Sequence, residues 1–104
     1  MSYELLYTED ADRQLDKLET SKSLKIQYKA VVKALRFLEE NPLHPSLNTH
    51  KYTSLIGPNG VDVFEAYAQN NTPGAWRIFW CYHPPKMKTD LKGFITIIAI
   101  TPHP

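Results

Sequence analysis

The chain has 104 residues, 42% of them hydrophobic and 22% charged, with a net charge of +1. That length holds one domain around one core, expected over residues 1–104, and the ordinary composition excludes a disordered, repetitive or fibrous chain. Near-neutrality excludes a surface that is basic throughout, so any contact with nucleic acid has to come from a local patch.

Tyr3-Glu4-Leu5-Leu6-Tyr7 is a short β-prone run, and Thr8 after it is placed to cap a helix whose first turn carries Glu9 and Asp10. Ala11, Leu15 and Leu18 then recur at helical spacing, which predicts a first helix over about 9–19. A polar stretch, 20–23, leads into a second. Leu24, Tyr28, Val31, Val32, Leu35 and Leu38 keep the period until Asn41-Pro42 stops it. The short link between the two predicts an antiparallel helical hairpin.

From 41 to 60 the chain is crowded with Pro42, Pro45, Gly57, Pro58, Asn59 and Gly60, and reads as a long irregular loop that carries His44, His50, Lys51 and Tyr52. After it the period changes to two. Residues 61–69, 75–82 and 94–100 are rich in β-branched and aromatic side chains, and turn formers separate them. The expected class is α+β: an N-terminal strand, the helical hairpin, then an antiparallel three-strand meander in a mostly antiparallel sheet with the helices on one face.

Two surfaces carry candidate function. On the second helix, Lys22, Lys25, Lys29, Lys33 and Arg36 fall within an arc of roughly 80° at 3.6 residues per turn, with Ile26 and Phe37 beside them. Such a stripe either tracks phosphates or docks an acidic partner, or is a solvated helix face. On the sheet, a hairpin closed symmetrically over 70–74 sets Tyr67 opposite Arg77 with Glu65 one step along the same face. Arg77 interrupts an apolar central strand, so it needs either a partner that fixes register, for which Glu65 is the candidate, or a ligand such as phosphate. The last strand leads to His103, a proton carrier suited to neutral pH.

No His or Cys spacing matches a metal site, so no metal or cofactor is expected. The single cysteine, Cys81, forms no internal disulfide, no signal peptide opens the chain, and no apolar run approaches the roughly 20 residues that cross a bilayer. The reading is cytoplasmic, with no membrane partner.

The element order, the central strand Trp76-Arg77-Ile78-Phe79-Trp80 and the closing Ile97-Ile98-Ala99 with His103 beyond it resemble the RelE/ParE toxin superfamily. Its nuclease members are small toxins of bacterial toxin-antitoxin pairs that cut mRNA, commonly on the ribosome, without a metal. The resemblance implies that Arg77 binds phosphate, that His103 is the C-terminal acid/base, and that Glu65 is the acidic base. It also implies a cognate antitoxin. That branch places a tyrosine after its histidine, where this chain has Pro104.

The expected activity is thus cleavage of mRNA by attack of its own 2′-hydroxyl, with Glu65, Arg77 and His103 as catalytic residues and His50, Lys51 and Tyr67 as substrate contacts. The face formed by Lys22, Lys25, Ile26, Lys29, Lys33, Arg36 and Phe37 is the expected antitoxin surface. The alternative is a ParE-like or catalytically degenerate member that acts by binding gyrase or an antitoxin.

Overall fold

The computed structural model describes residues 3–83 and 93–102. Its elements are β1 (Glu4–Tyr7), α1 (Glu9–Thr20), α2 (Lys25–Glu40), β2 (His50–Ile56), β3 (Asp62–Tyr67), β4 (Trp76–His83) and β5 (Phe94–Pro102), with single 3-10 turns at Lys22–Leu24, Pro45–Leu47 and Pro58–Gly60. The class is α+β, and the strands form one five-stranded sheet in the order β1-β5-β4-β3-β2. β2 to β5 run antiparallel to their neighbours, whereas β1 joins the edge parallel to β5.

The sheet is mostly antiparallel as expected, with one parallel pair, because β1 enters alongside β5 with Leu5 opposite Ile95 and Tyr7 opposite Ile97. One expectation is corrected. The expected loop over 41–60 contains a strand, so the meander has four members. β2 pairs His50 with Glu65 and Lys51 with Phe64, then slips, and rejoins at Ile56 opposite Asp62. The strand is mostly exposed along its length, so little apolar alternation betrays it.

Local chemistry sets both helices. Thr8 caps α1 by accepting a hydrogen bond from the Ala11 amide at 3.1 Å, and Glu9, Asp10 and Asp12 place negative charge at the positive end of the helix dipole. α2 stops where the Asn41 amide closes on the Phe37 carbonyl at 2.7 Å. Ala11 and Leu18 from α1 and Val31, Ala34, Leu35 and Leu38 from α2 form one core with Ala66, Ile78, Trp80, Ile95, Ile97 and Ile100. The helices therefore cover one sheet face, with α1 chiefly over β5 and α2 over β4. Each fully buried Leu or Ile contributes about 1.5–3 kcal/mol of burial free energy, so this layer dominates the stability. Among the described residues, no helix is long and apolar enough to cross a membrane.

A bulge in β5 governs what lies on the other face. Phe79 pairs with Ala99 but Trp80 pairs with Ile97, which leaves Ile98 as the extra residue. The displaced backbone groups are satisfied from α1 and its cap: the Thr8 hydroxyl donates to the Ile98 carbonyl at 2.9 Å, and the Gln14 side-chain oxygen accepts from the Ile100 amide at 2.7 Å. The bulge reverses the alternation. Ile95 and Ile97 face the helices before it, and Ile100 does so after it, so Ala99 and Thr101 fall on the opposite face, where Thr101 lies opposite Arg77.

Candidate functional site

The face away from the helices carries a compact polar cluster in an apolar frame. Strand pairing sets Tyr67 opposite Arg77, Glu65 opposite Phe79 and His50 opposite Glu65, and directly opposed residues share a face. The β3–β4 turn that fixes this register passes through Asn71 and Gly74 with φ of 55° and 65°. A left-handed backbone of this kind is strained for most side chains and free for glycine. The expected register of Tyr67, Arg77 and Glu65 is therefore the observed one.

Glu65 is the hub. Its side chain is only 6% exposed, with one carboxylate oxygen 2.7 Å from His50 Nε2 and the other 3.6 Å from Arg77 Nε. Arg77, 7% exposed at its side chain, donates from Nη1 to the Gln69 carbonyl at 2.6 Å, and its guanidinium carbon stands 3.7 Å from the centre of the Tyr67 ring. That stacking adds a cation–π contact of about 0.5–2 kcal/mol. Arg77 Nε is buried and makes no hydrogen bond among the described residues, so one donor beside Glu65 is left over.

His50 is the solvent side of the cluster, with its side chain 45% exposed. Its ring meets Tyr67 edge-on at 5.6 Å, and its Nδ1 lies 3.0 Å from the Asn48 carbonyl oxygen. Tyr52, two residues along β2, covers Phe79 with ring centroids 4.8 Å apart. Val63, Phe79 and Cys81 are buried on this face, and burial pushes the Cys81 thiol pKa above its ordinary value. The cluster can thus hold a negative group beside Arg77, move a proton through a half-exposed imidazole, and keep bulk water away from the buried carboxylate.

The remaining expected residues are dispersed. Lys51 alternates to the other side of β2, opposite Phe64, and its ammonium lies 3.3 Å from Asp62, so it does not join His50 and Tyr67. His103 lies outside the described residues. Lys25, Lys29, Lys33 and Arg36 are exposed along α2, whereas Lys22, expected on the same helix, is exposed in the 3-10 turn before it, and Ile26 is 76% exposed. Phe37 differs from expectation. It is half-buried against the core and stacked on His44 at 4.0 Å, which leaves little of it to a partner. A groove of about 250 Å³ between α2 and the end of β3 is lined by Lys33 and Phe37 on one side and by Tyr67 on the other.

Sequence reasoning missed that His50 is bonded to Glu65. The signal was the β-prone spacing of His50, Tyr52 and the residues up to Ile56, which the flanking prolines and glycines outweighed. No protein-family model matches the chain, and searches of curated proteins and of solved structures return no similar protein.

Proposed function

We propose that the chain is a RelE-like toxin, a cytoplasmic endoribonuclease that cleaves mRNA without a metal and is held inactive by a cognate antitoxin. The observation that carries this reading is the cluster of His50, Glu65, Tyr67 and Arg77 on the open sheet face, with a buried guanidinium donor unused among the described residues. RNA brings its own nucleophile, so cleavage needs a base for the 2′-hydroxyl, a cation for the phosphate and an acid for the 5′ oxygen that leaves. Arg77 supplies the cation, the Glu65 cluster the base, and His103 the acid. The groove shared by Lys33 and Tyr67 supports inhibition in trans, because an acidic segment seated on the α2 stripe would reach the edge of the site.

Induced expression tests the proposal. Growth arrest with mRNA cleavage, both lost in Arg77→Ala and weakened in His103→Ala, is the expected result, and association with the ribosome is read from sucrose-gradient fractions. Wild-type chain that neither slows growth nor cleaves mRNA would overturn it.

One observation favours a second reading. Arg77 and Glu65 are both nearly buried and lie 3.6 Å apart, as a pair that only fixes register would be. A ParE-like or degenerate member acting by protein binding would then use the exposed α2 stripe, and inhibited gyrase with intact mRNA would identify it.

A further inference from the structure

The order in which a ligand meets the cluster divides its labour. Glu65 has both carboxylate oxygens directed at protein partners, His50 and Arg77, and only 6% of its side chain is open to solvent. A carboxylate so engaged is poorly placed to reach a hydroxyl on an incoming chain. His50 is the opposite case. Its ring is 45% exposed, yet three contacts hold it: Nε2 at 2.7 Å from Glu65, Nδ1 at 3.0 Å from the Asn48 carbonyl, and its edge against Tyr67.

Both ring nitrogens therefore face an acceptor. A neutral imidazole carries one N–H and can satisfy only one of them, whereas the ring that has just taken up a proton carries two and satisfies both. The site is organised around the product of proton uptake. Glu65 is the stronger acceptor and the buried one, so it anchors the Nε2–H bond. The Asn48 carbonyl belongs to a turn residue two positions away, with left-handed φ of 46° and ψ of 42°, at the exposed start of β2. Nδ1 is consequently the nitrogen that a ligand can reach by displacing a local backbone contact.

We infer that His50, and not Glu65, takes the 2′-hydroxyl proton, and that Glu65 is the positioning residue that fixes the ring and offsets the charge it gains. The inference rests on the ribonuclease reading and deepens it. In the step, the O2′–H proton passes to Nδ1, O2′ bonds to phosphorus, and the P–O5′ bond breaks. The 5′ oxygen takes a proton from solvent water, leaving a 2′,3′-cyclic phosphate and a 5′-hydroxyl. Nothing is oxidised or reduced, and the His50 proton returns to solvent. Arg77, with its Nε 3.6 Å from the second oxygen of Glu65, orients that carboxylate and sets a positive charge beside the site.

The test is cleavage of an end-labelled RNA oligonucleotide by the purified chain, with melting temperatures recorded for each variant. His50→Ala is expected to fall by about 10²–10⁴-fold, the range for loss of a general base, and to recover in part when free imidazole is added. His50→Gln keeps a polar group at the position but is not basic enough to take up a proton at neutral pH, and is expected to be as inactive as His50→Ala and not to respond to imidazole. Glu65→Gln is expected to lower activity in the presence of His50 and to add nothing to His50→Ala, because a positioning residue acts only through the group it positions.

Folded His50→Ala that cleaves at the wild-type rate overturns the inference. So does a Glu65→Gln loss that persists in full on top of His50→Ala, which would make Glu65 itself the base. Wild-type chain without cleavage, indistinguishable from Arg77→Ala, is the separate failure of the ribonuclease reading, and the inference falls with it.

Discussion

Arg77 and Glu65 hold opposite charges almost out of water, and that fact separates a structural pair from a functional one by experiment. Removing one partner from such a pair costs about 3–5 kcal/mol, whereas replacing both with apolar residues of similar volume is often neutral or stabilising. Glu65→Ala is therefore expected to lose roughly that much in urea denaturation, while Glu65→Met/Arg77→Met recovers most of it. If the pair serves the site, the double variant folds well and loses all activity. A second residue-scale expectation concerns alkali. Burial raises the pKa of Cys81, and burial first, then the Glu39 and Asp12 carboxylates, raises that of Tyr7. The folded chain thus keeps protons that the unfolded chain gives up, so ν is larger in the native state and stability falls as pH rises. The stabilising contribution is whole below about pH 8.5, where an unfolded thiol begins to titrate, and declines through about 10, where phenols follow. Urea midpoints measured across that range should drop, and Cys81→Ala should remove the lower part of the drop.

At the scale of elements, Thr8 and the β5 bulge work together. The Thr8 side chain accepts from the Ala11 amide and donates to the Ile98 carbonyl, so one hydroxyl both starts α1 and satisfies the bulge. Thr8→Ala is expected to cost about 1–2 kcal/mol, more than an isolated cap, and Thr8→Ser to restore most of it. Gly74 is the matching device in the β3–β4 turn. Its φ of 65° makes Gly74→Ala a strained substitution of roughly 1–2 kcal/mol that acts on the turn setting Tyr67 opposite Arg77. Both costs are read from chemical denaturation.

The same elements explain what could be read in advance. Both helices, β3, β4, β5 and the Tyr67–Arg77 register followed from period, caps and turn residues, because those signals are local. β2 did not, since an exposed edge strand buries too little to need an apolar alternation, and only Tyr52 and His50 carry its inward face. The parallel placement of β1 was equally hidden. It depends on contacts between residues about ninety apart in sequence, such as the Thr8–Ile98 bond, and no local pattern encodes them. The Glu65 cluster was half legible. Glu65, Tyr67 and Arg77 lie on one hairpin, whereas His50 reaches them only through the strand that was missed.

Across the whole molecule, two layers divide the tasks. Helices on one sheet face supply the core, and the other face is left to the polar cluster and its cover of Tyr52, Val63 and Phe79. The net charge of +1 conceals an uneven distribution, because four cations stand exposed along α2 and Lys22 stands exposed in the turn before it. A partner bound there should be acidic, and its affinity should fall steeply with salt as condensed or paired ions are exchanged. Titration of the chain with an acidic peptide at low and high salt checks this.

The central claim is that the open face of the sheet cleaves RNA by 2′-hydroxyl attack, and the chemistry of the cut ends tests it most directly. Mapping the termini left by the purified chain on a defined RNA should give 2′,3′-cyclic phosphates and 5′-hydroxyls, absent with Arg77→Ala. Intact RNA with the wild-type chain, or cut ends identical for wild type and Arg77→Ala, would contradict it.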